Sequence, residues 1–306
     1  MSTREIRNIN SIREFHQLRG MQQPDHPMIS VIDYSEVKNL AEHNDVSWRL
    51  NFYLIGIKRD LDSYLKYGQQ EYDFENGVMS FMAPGQVLNI TVDAHSNKRP
   101  SGTIILVHAD FLWNHPLAKE IKKHSYFGYG TNEALFLSEK EELLVNNIMQ
   151  LIANEYHNNL DTFSEGIIVA HLETLLSYAD RFYNRQFLTR KKKNSEILDR
   201  LEELLETYFS KKDITEKRLP TVKFIADSLF VSPDYLSAML RVLTGRTAQQ
   251  HIHDKLIDKA KERLGATSLS ISEIAYELGF EHVQSFSKLF RQKTQLSPLE
   301  FRKSFN

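Results

Sequence analysis

Two stretches near the C-terminal end of this 306-residue chain repeat each other. Residues 225–248 read IADSLFVSPDYLSAMLRVLTGRTA, and residues 274–298 read IAYELGFEHVQSFSKLFRQKTQLSP. Ile225, Ala226 and Leu229 match Ile274, Ala275 and Leu278 at an offset of 49. Leu236, Ser237, Leu240, Arg241 and Thr244 match Phe286, Ser287, Phe290, Arg291 and Thr294 at an offset of 50, so the second turn carries one extra residue. Each copy has an apolar helix with a small Ala, a short turn and a second helix that is polar on one face. That is the layout of a helix-turn-helix, whose second helix enters the DNA major groove.

Charge is divided in the same sense. Residues 1–190 hold 18 Lys and Arg against 24 Asp and Glu, whereas residues 215–306 hold 14 against 10. A mildly basic C-terminal part suits a polyanion, although a solvated surface has the same composition. There is no cysteine, which removes disulfides, zinc fingers, Cys nucleophiles and iron–sulfur clusters and fits a reducing, cytoplasmic setting. The sequence has neither a membrane-length apolar run nor a signal-peptide h-region, so no membrane partner is expected.

Residues 28–110 contain short β-branched and aromatic runs: MISVIDYS, WRLNFYLIGI, SYLKYG, QEYDF, VMSFMAP, QVLNITV and TIILVHADF. Turn signals such as Ala83-Pro84-Gly85 separate them, which predicts a small antiparallel barrel or sandwich. Two helices follow. Ser138 with Glu141, and Thr162 with Glu165, read as capping boxes, each ahead of an apolar stripe. The polar turn between them predicts an antiparallel hairpin, packed on the barrel or forming a dimer seam with Leu172 and Leu176 in it. The run Arg190-Lys191-Lys192-Lys193-Asn194-Ser195 has no apolar anchor and reads as a linker. Helices occupy the rest, with Ser232-Pro233, Ser270 and Ser297-Pro298 as start signals.

The stretch 221–304 resembles the DNA-binding domain of the AraC/XylS family of bacterial transcription regulators. The match is carried by Ile225-Ala226, Ser232 to Ser237, Thr244-Gly245, Ala260-Lys261 and Ile271 to Ala275, and then by Leu278-Gly279-Phe280, Gln284 to Arg291, Ser297-Pro298 and Phe301-Arg302. Leu240-Arg241 stands where an aromatic–basic pair is commoner. Leu256 stands where Arg is frequent, and Gln295 where Gly is usual. A looser likeness, through Gly77 to Gln86 and Val107 to Phe111, extends to the family's cupin-like sensor domains.

The resemblance implies an α+β chain. Residues 1–137 would be a cupin-like antiparallel β-barrel that binds an effector, 138–189 a dimerising helical hairpin, 190–195 a linker, and 196–306 an all-α domain with two helix-turn-helix units. The implied function is sequence-specific DNA binding controlled by a small-molecule effector. Double-stranded DNA, that effector, a second copy and RNA polymerase are the expected partners, and neither a cofactor nor catalysis is expected. The effector, the operator and the sign of regulation stay open.

In the first recognition helix, Leu236, Met239, Leu240 and Leu243 make the apolar stripe. Asp234, Tyr235, Ser237, Ala238 and Arg241 fall on the other faces as DNA-binding candidates. In the second, Phe286, Leu289 and Phe290 are core, while His282, Gln284, Ser285, Lys288 and Arg291 are candidates. Arg and Lys can pair with guanine or hold phosphate, and Gln can pair with adenine. The aromatic density of the barrel segment makes Trp48, Phe52, Tyr64, Phe74 and Phe81 candidate effector-binding residues, core filling being the plainer reading.

Two alternatives stand beside this reading. One is a metal-dependent cupin enzyme using His95, His108, His115 and His124, although no His-x-His pair occurs in the barrel. The other is a ligand-independent architectural DNA binder.

Overall fold

The computed structural model describes residues 5–37, 46–59, 77–89, 101–130, 133–158, 161–189, 191–210 and 218–304. It divides into two compact units, Met1–Gln186 and Phe187–Asn306.

The first unit contains β1 (Glu5–Ile9), α1 (Ile12–Leu18), β2 (Ile29–Asp33), β3 (Val46–Leu50), β4 (Tyr53–Arg59), β5 (Val78–Met82), β6 (Val87–Asn89), β7 (Ser101–Val107), α2 (Leu117–Glu120) and β8 (Leu135–Phe136). Helices α3 (Glu139–His157) and α4 (Ser164–Thr189) follow. Among the described residues the strands form two sheets, β1-β3-β6 and β2-β7-β4-β5-β8. The larger is antiparallel as expected. In the smaller, β1 runs parallel to β3, so the antiparallel expectation fails there. No strand pairing among the described residues joins the two sheets into a closed barrel.

WRLNFYLIGI, read from sequence as one run, is two strands. The chain bends at Asn51, whose N–H donates to Ile9 O at 3.0 Å, and crosses from the smaller sheet to the larger. Strand β4 then lies between β5 and β7 with Tyr53 to Ile57 all buried, as a strand covered on both faces must be. Gly102 pairs beside it at φ 129°, and a Cβ there would sit 2.0 Å from Ile57 O. Only glycine fits that approach. The runs at 63–68 and 70–74 lie outside the described residues.

Helix α3 starts with the capping box expected at Ser138 and Glu141. Helix α4 does not start at Thr162. Asp161 accepts from the N–H groups of Phe163 and Ser164, while its own N–H donates to Ser164 Oγ. Glu165 is turned to His115 Nε2, 2.7 Å away. A carboxylate one residue earlier is the better acceptor for the first free N–H groups. Arg185, near the end of α4, reaches Glu141 in the first turn of α3, so the two helices run antiparallel. Leu172 and Leu176 are buried within the chain's own core, not held in reserve for a partner.

The second unit is all helical: α5 (Lys191–Ser210), α6 (Val222–Leu229), α7 (Pro233–Thr244), α8 (Ala248–Ala266), α9 (Ile271–Glu277), α10 (Val283–Thr294) and α11 (Pro298–Lys303). The run expected to be a linker is thus helical from Lys191. Lysine is a good helix former, and buried Asn194 donates from Nδ2 to Phe187 O at 2.6 Å, a polar anchor where an apolar one was sought. None of the described helices is long and apolar enough to cross a membrane.

Candidate nucleic-acid interface

The two repeats fold alike. Thr221 caps α6 and Ser270 caps α9. The turn of each unit closes with the same hydrogen bond at 3.0 Å, Val231 N–H to Ala226 O in the first and Phe280 N–H to Ala275 O in the second. Ala226 and Ala275 are fully buried, as a small residue must be where two helices cross closely. Val231 matches Phe280 and the N-cap Ser232 matches the N-cap His282, so Glu281 is the extra residue of the second turn.

Helices α7 and α10 end alike too. Thr244 Oγ1 donates to Leu240 O and Thr294 Oγ1 to Phe290 O, both at 2.8 Å. Their starts differ. Ser232 accepts from Tyr235 N–H, whereas His282 makes no side-chain cap bond.

On α7, Leu236, Met239 and Leu240 are buried, and Leu243, expected in the core, is half-buried. Asp234 and Arg241 are exposed, with Ser237 and Ala238 half-buried between them. Tyr235 is the correction. It is buried, with its ring 5.2 Å from that of Phe187, so the apolar stripe is one residue wider than read from sequence and Tyr235 belongs to the core. On α10, Phe286 and Phe290 are fully buried and Leu289 is half-buried. His282, Gln284, Ser285, Lys288 and Arg291 are all exposed.

Cations of the helical unit differ in their pairing. Four of them are paired with acids of α5 and α8. Asp254 of α8 holds Lys293 at 2.7 Å and Arg246 at 3.2 Å, and Glu206 of α5 holds Lys255 at 2.7 Å and Lys259 at 2.5 Å. Those two lysines pull the Glu206 carboxyl down to about 2. Among the described residues no ion pair engages Arg241, Lys288 or Arg291. Each helix thus presents a polar face with unneutralised positive charge, which is what phosphate and base-edge contacts require.

The nominated effector residues do not form one group. Trp48 and Phe52 share a buried cluster with Phe15, Tyr34 and Leu54. Phe81 neighbours Met82 along β5 and so faces the other way, its ring 4.5 Å from Tyr126 and 5.6 Å from Phe127. Tyr64 and Phe74 lie outside the described residues. The histidines weighed as metal ligands are committed separately. His115 meets Glu165, His124 meets Asp180 at 2.8 Å, and His108 accepts from Asp110 N–H; His95 is outside the described residues. Among the described residues no three His, Cys, Asp or Glu side chains converge as a metal site.

The N-terminal helix α1 escaped the sequence reading, although Ser11 with Glu14 carried the signal. Ser11 Oγ accepts from Glu14 N–H, and the Glu14 carboxylate accepts from Asn10 N–H. That helix ends at Arg19, a buried cation.

Comparison with known proteins agrees with the tandem architecture. A family model described as a helix-turn-helix domain matches residues 225–304. The uncharacterized HTH-type transcriptional regulator YfiF of Bacillus subtilis (strain 168) is 31% identical over 143 residues, 47% of this chain and 42% of that protein. The HTH-type transcriptional activator RhaS of Escherichia coli O1:K1 / APEC is 33% identical over 78 residues, 26% of this chain and 28% of that one. The chain spans less than half the length of the curated relatives it matches. Among solved structures, the C-terminal domain of the two-component response regulator yesN from Fusobacterium nucleatum is 30% identical, with 34% of this chain and 95% of that chain covered and a TM-score of 0.30. With two helix-turn-helix units repeated at matched positions and the family match over the same stretch, residues 225–304 form a helix-turn-helix domain of the AraC/XylS type.

Proposed function

We propose that the chain is a one-component transcription regulator that reads duplex DNA with α7 and α10. The observation that carries this reading is the recurrence of one helix-turn-helix geometry, with the same turn bond and the same helix-end bond at matched positions and an exposed cation on each second helix. Arg241, Lys288 and Arg291 are exposed on those two equivalent helices and outside every ion pair found among the described residues. Arg241 and Ser237 contact DNA from the first unit, with Asp234 and Ala238 beside them. Gln284, Ser285, Lys288 and Arg291 do so from the second, and His282 sits at the helix start. The two helices occupy successive major grooves on one face of the duplex.

The first unit, in the same reading, binds a small effector at the Trp48–Phe52 cluster and forms a homodimer, and the DNA-bound protein engages RNA polymerase. Selection of bound sequences from random duplexes, followed by gel shifts, tests the core of the reading. Enrichment of a site with two half-elements about one helical turn apart is expected. Equal binding to all sequences at physiological salt would count against it.

A further inference from the structure

Arg19 is the C-cap residue of α1, and only 3% of it is exposed. It is the one buried Lys or Arg among the described residues. Its guanidinium carbon lies 5.8 Å from the ring centroid of Phe15 and 6.0 Å from that of Trp48. Among the described residues no carboxylate pairs with it. The buried acid Glu142, by contrast, is matched to Arg59 and to Gly77 N–H. Burial pushes the Arg19 guanidinium below its ordinary value, with the Tyr34 hydroxyl opposing.

Arginine stays charged in a protein, so it cannot escape this burial by neutralising. Two ring faces near the outer limit of cation–π reach return less than the desolvation takes. A buried ion without a counter-ion persists where another species supplies one. The surroundings say what kind. Ile12, Phe15, Trp48, Leu50 and Phe52 belong to the same apolar cluster, and a guanidinium fork matches a carboxylate in two parallel hydrogen bonds.

We propose that Arg19 is the anion anchor of the effector site, taking the carboxylate of a small organic acid whose apolar body lies on Phe15, Trp48 and Phe52. The inference rests on the effector reading above and gives that effector a chemical class.

The test uses the full chain and two matched pairs of probes, phenylacetate with phenylacetamide and hexanoate with hexanamide. Thermal melting and tryptophan fluorescence are read for wild type, Arg19→Met and Arg19→Lys. At least one acid is expected to raise the wild-type melting temperature while its amide does not. Arg19→Met should abolish the response, and Arg19→Lys should weaken the acid at least tenfold, because an ammonium cannot make the paired fork. Ligand-free Arg19→Met should melt no lower than wild type, since it keeps apolar bulk and loses an unpaired charge.

A drop of about 3 °C or more in ligand-free Arg19→Met would show a structural arginine and overturn the proposal. Acids and amides acting equally, and persisting in Arg19→Met, would leave an effector site standing without this anchor. If none of the four compounds stabilises wild type, the anchor and its site both fall.

Discussion

Gln295 ends the second recognition helix in the left-handed conformation, φ 64°, that Gly245 takes at φ 71° at the end of the first. The turns show the opposite exchange, with Phe230 at φ 59° matching Gly279 at φ 90°. Each unit therefore holds one left-handed position with glycine and one without. A side chain there costs about 1–2 kcal/mol, part of which glycine returns through its looser unfolded state. Gln295→Gly should stabilise the second unit by about 0.5–1 kcal/mol. Gly245→Ala should destabilise the first unit by about 1 kcal/mol through strain alone, because a Cβ at Gly245 meets nothing within 4 Å. Urea unfolding of both variants checks the pair, and equal midpoints would remove the strain account.

The recognition faces separate by mutation. Arg241→Ala and Lys288→Ala should leave the fold intact, both residues being exposed and outside any ion pair seen in the scaffold. A bidentate base contact would lose about 1–3 kcal/mol at one operator position. A phosphate contact would lose affinity evenly across sequences and make the salt dependence shallower. Phe290→Ala, at a fully buried position, should cost about 3–5 kcal/mol of stability instead. Operator titrations at several salt concentrations, with circular dichroism on each variant, distinguish the three. Wild-type affinity in both charge variants would put the readers on another face.

Acid should loosen the second unit in two steps. His251 is held below its usual value of 6.5 by burial and by Arg246, with Asp254 and Glu202 opposing. His253 is lowered by burial and by Lys293, with Asp254 opposing, and its Nε2 lies 2.8 Å from Gln249 Nε2, a donor that needs an unprotonated ring. A depressed folded value means that the unfolded chain takes up the proton first. This contribution is therefore complete above pH 6.5 and is lost as the pH falls through the folded values. Glu206, lowered from 4.5 to about 2, adds a separate loss below pH 4.5. Stability measured from pH 8 to 3 should show both steps, and His251→Gln with His253→Gln should flatten only the upper one.

The helical half was legible because its signals are local. Ser232-Pro233, Ser270 with Glu273, and Ser297 with Glu300 mark helix starts by side-chain chemistry within one turn. Tyr235 was misplaced because an amphipathic stripe shows which face is apolar but not how wide the neighbouring surface is. The ring of Phe187, 48 positions earlier, extends the core over it. The sheets were legible as strands but not as pairings. Nothing local distinguishes the parallel β1–β3 contact from an antiparallel one, and the bend at Asn51 depends on Ile9, far away in sequence. Arg19 was invisible for the same reason, since burial of a charge is a property of what surrounds it.

The homodimer proposed above cannot be seated on Leu172 and Leu176, where the sequence alone would put it. Those two leucines are 2% and 0% exposed, so a charge at either should unfold the first unit rather than split a dimer. The apolar side chains open to solvent here are Phe163, just before α4 and 73% exposed, and Ile167 in its first turn, 41% exposed, with Ile167 N–H donating to Phe163 O. Trp113, 77% exposed, lies two residues before His115, which reaches Glu165 between them in sequence. Large exposed apolar side chains grouped in this way mark contact surfaces. Phe163→Glu with Ile167→Glu should therefore give a folded monomer where wild type sediments as a dimer, and Leu172→Glu should give an unfolded or aggregated first unit. Sedimentation velocity with circular dichroism reads both. A wild-type chain that stays monomeric at high micromolar concentration, or a double variant that remains dimeric, would mean that this face carries no second copy.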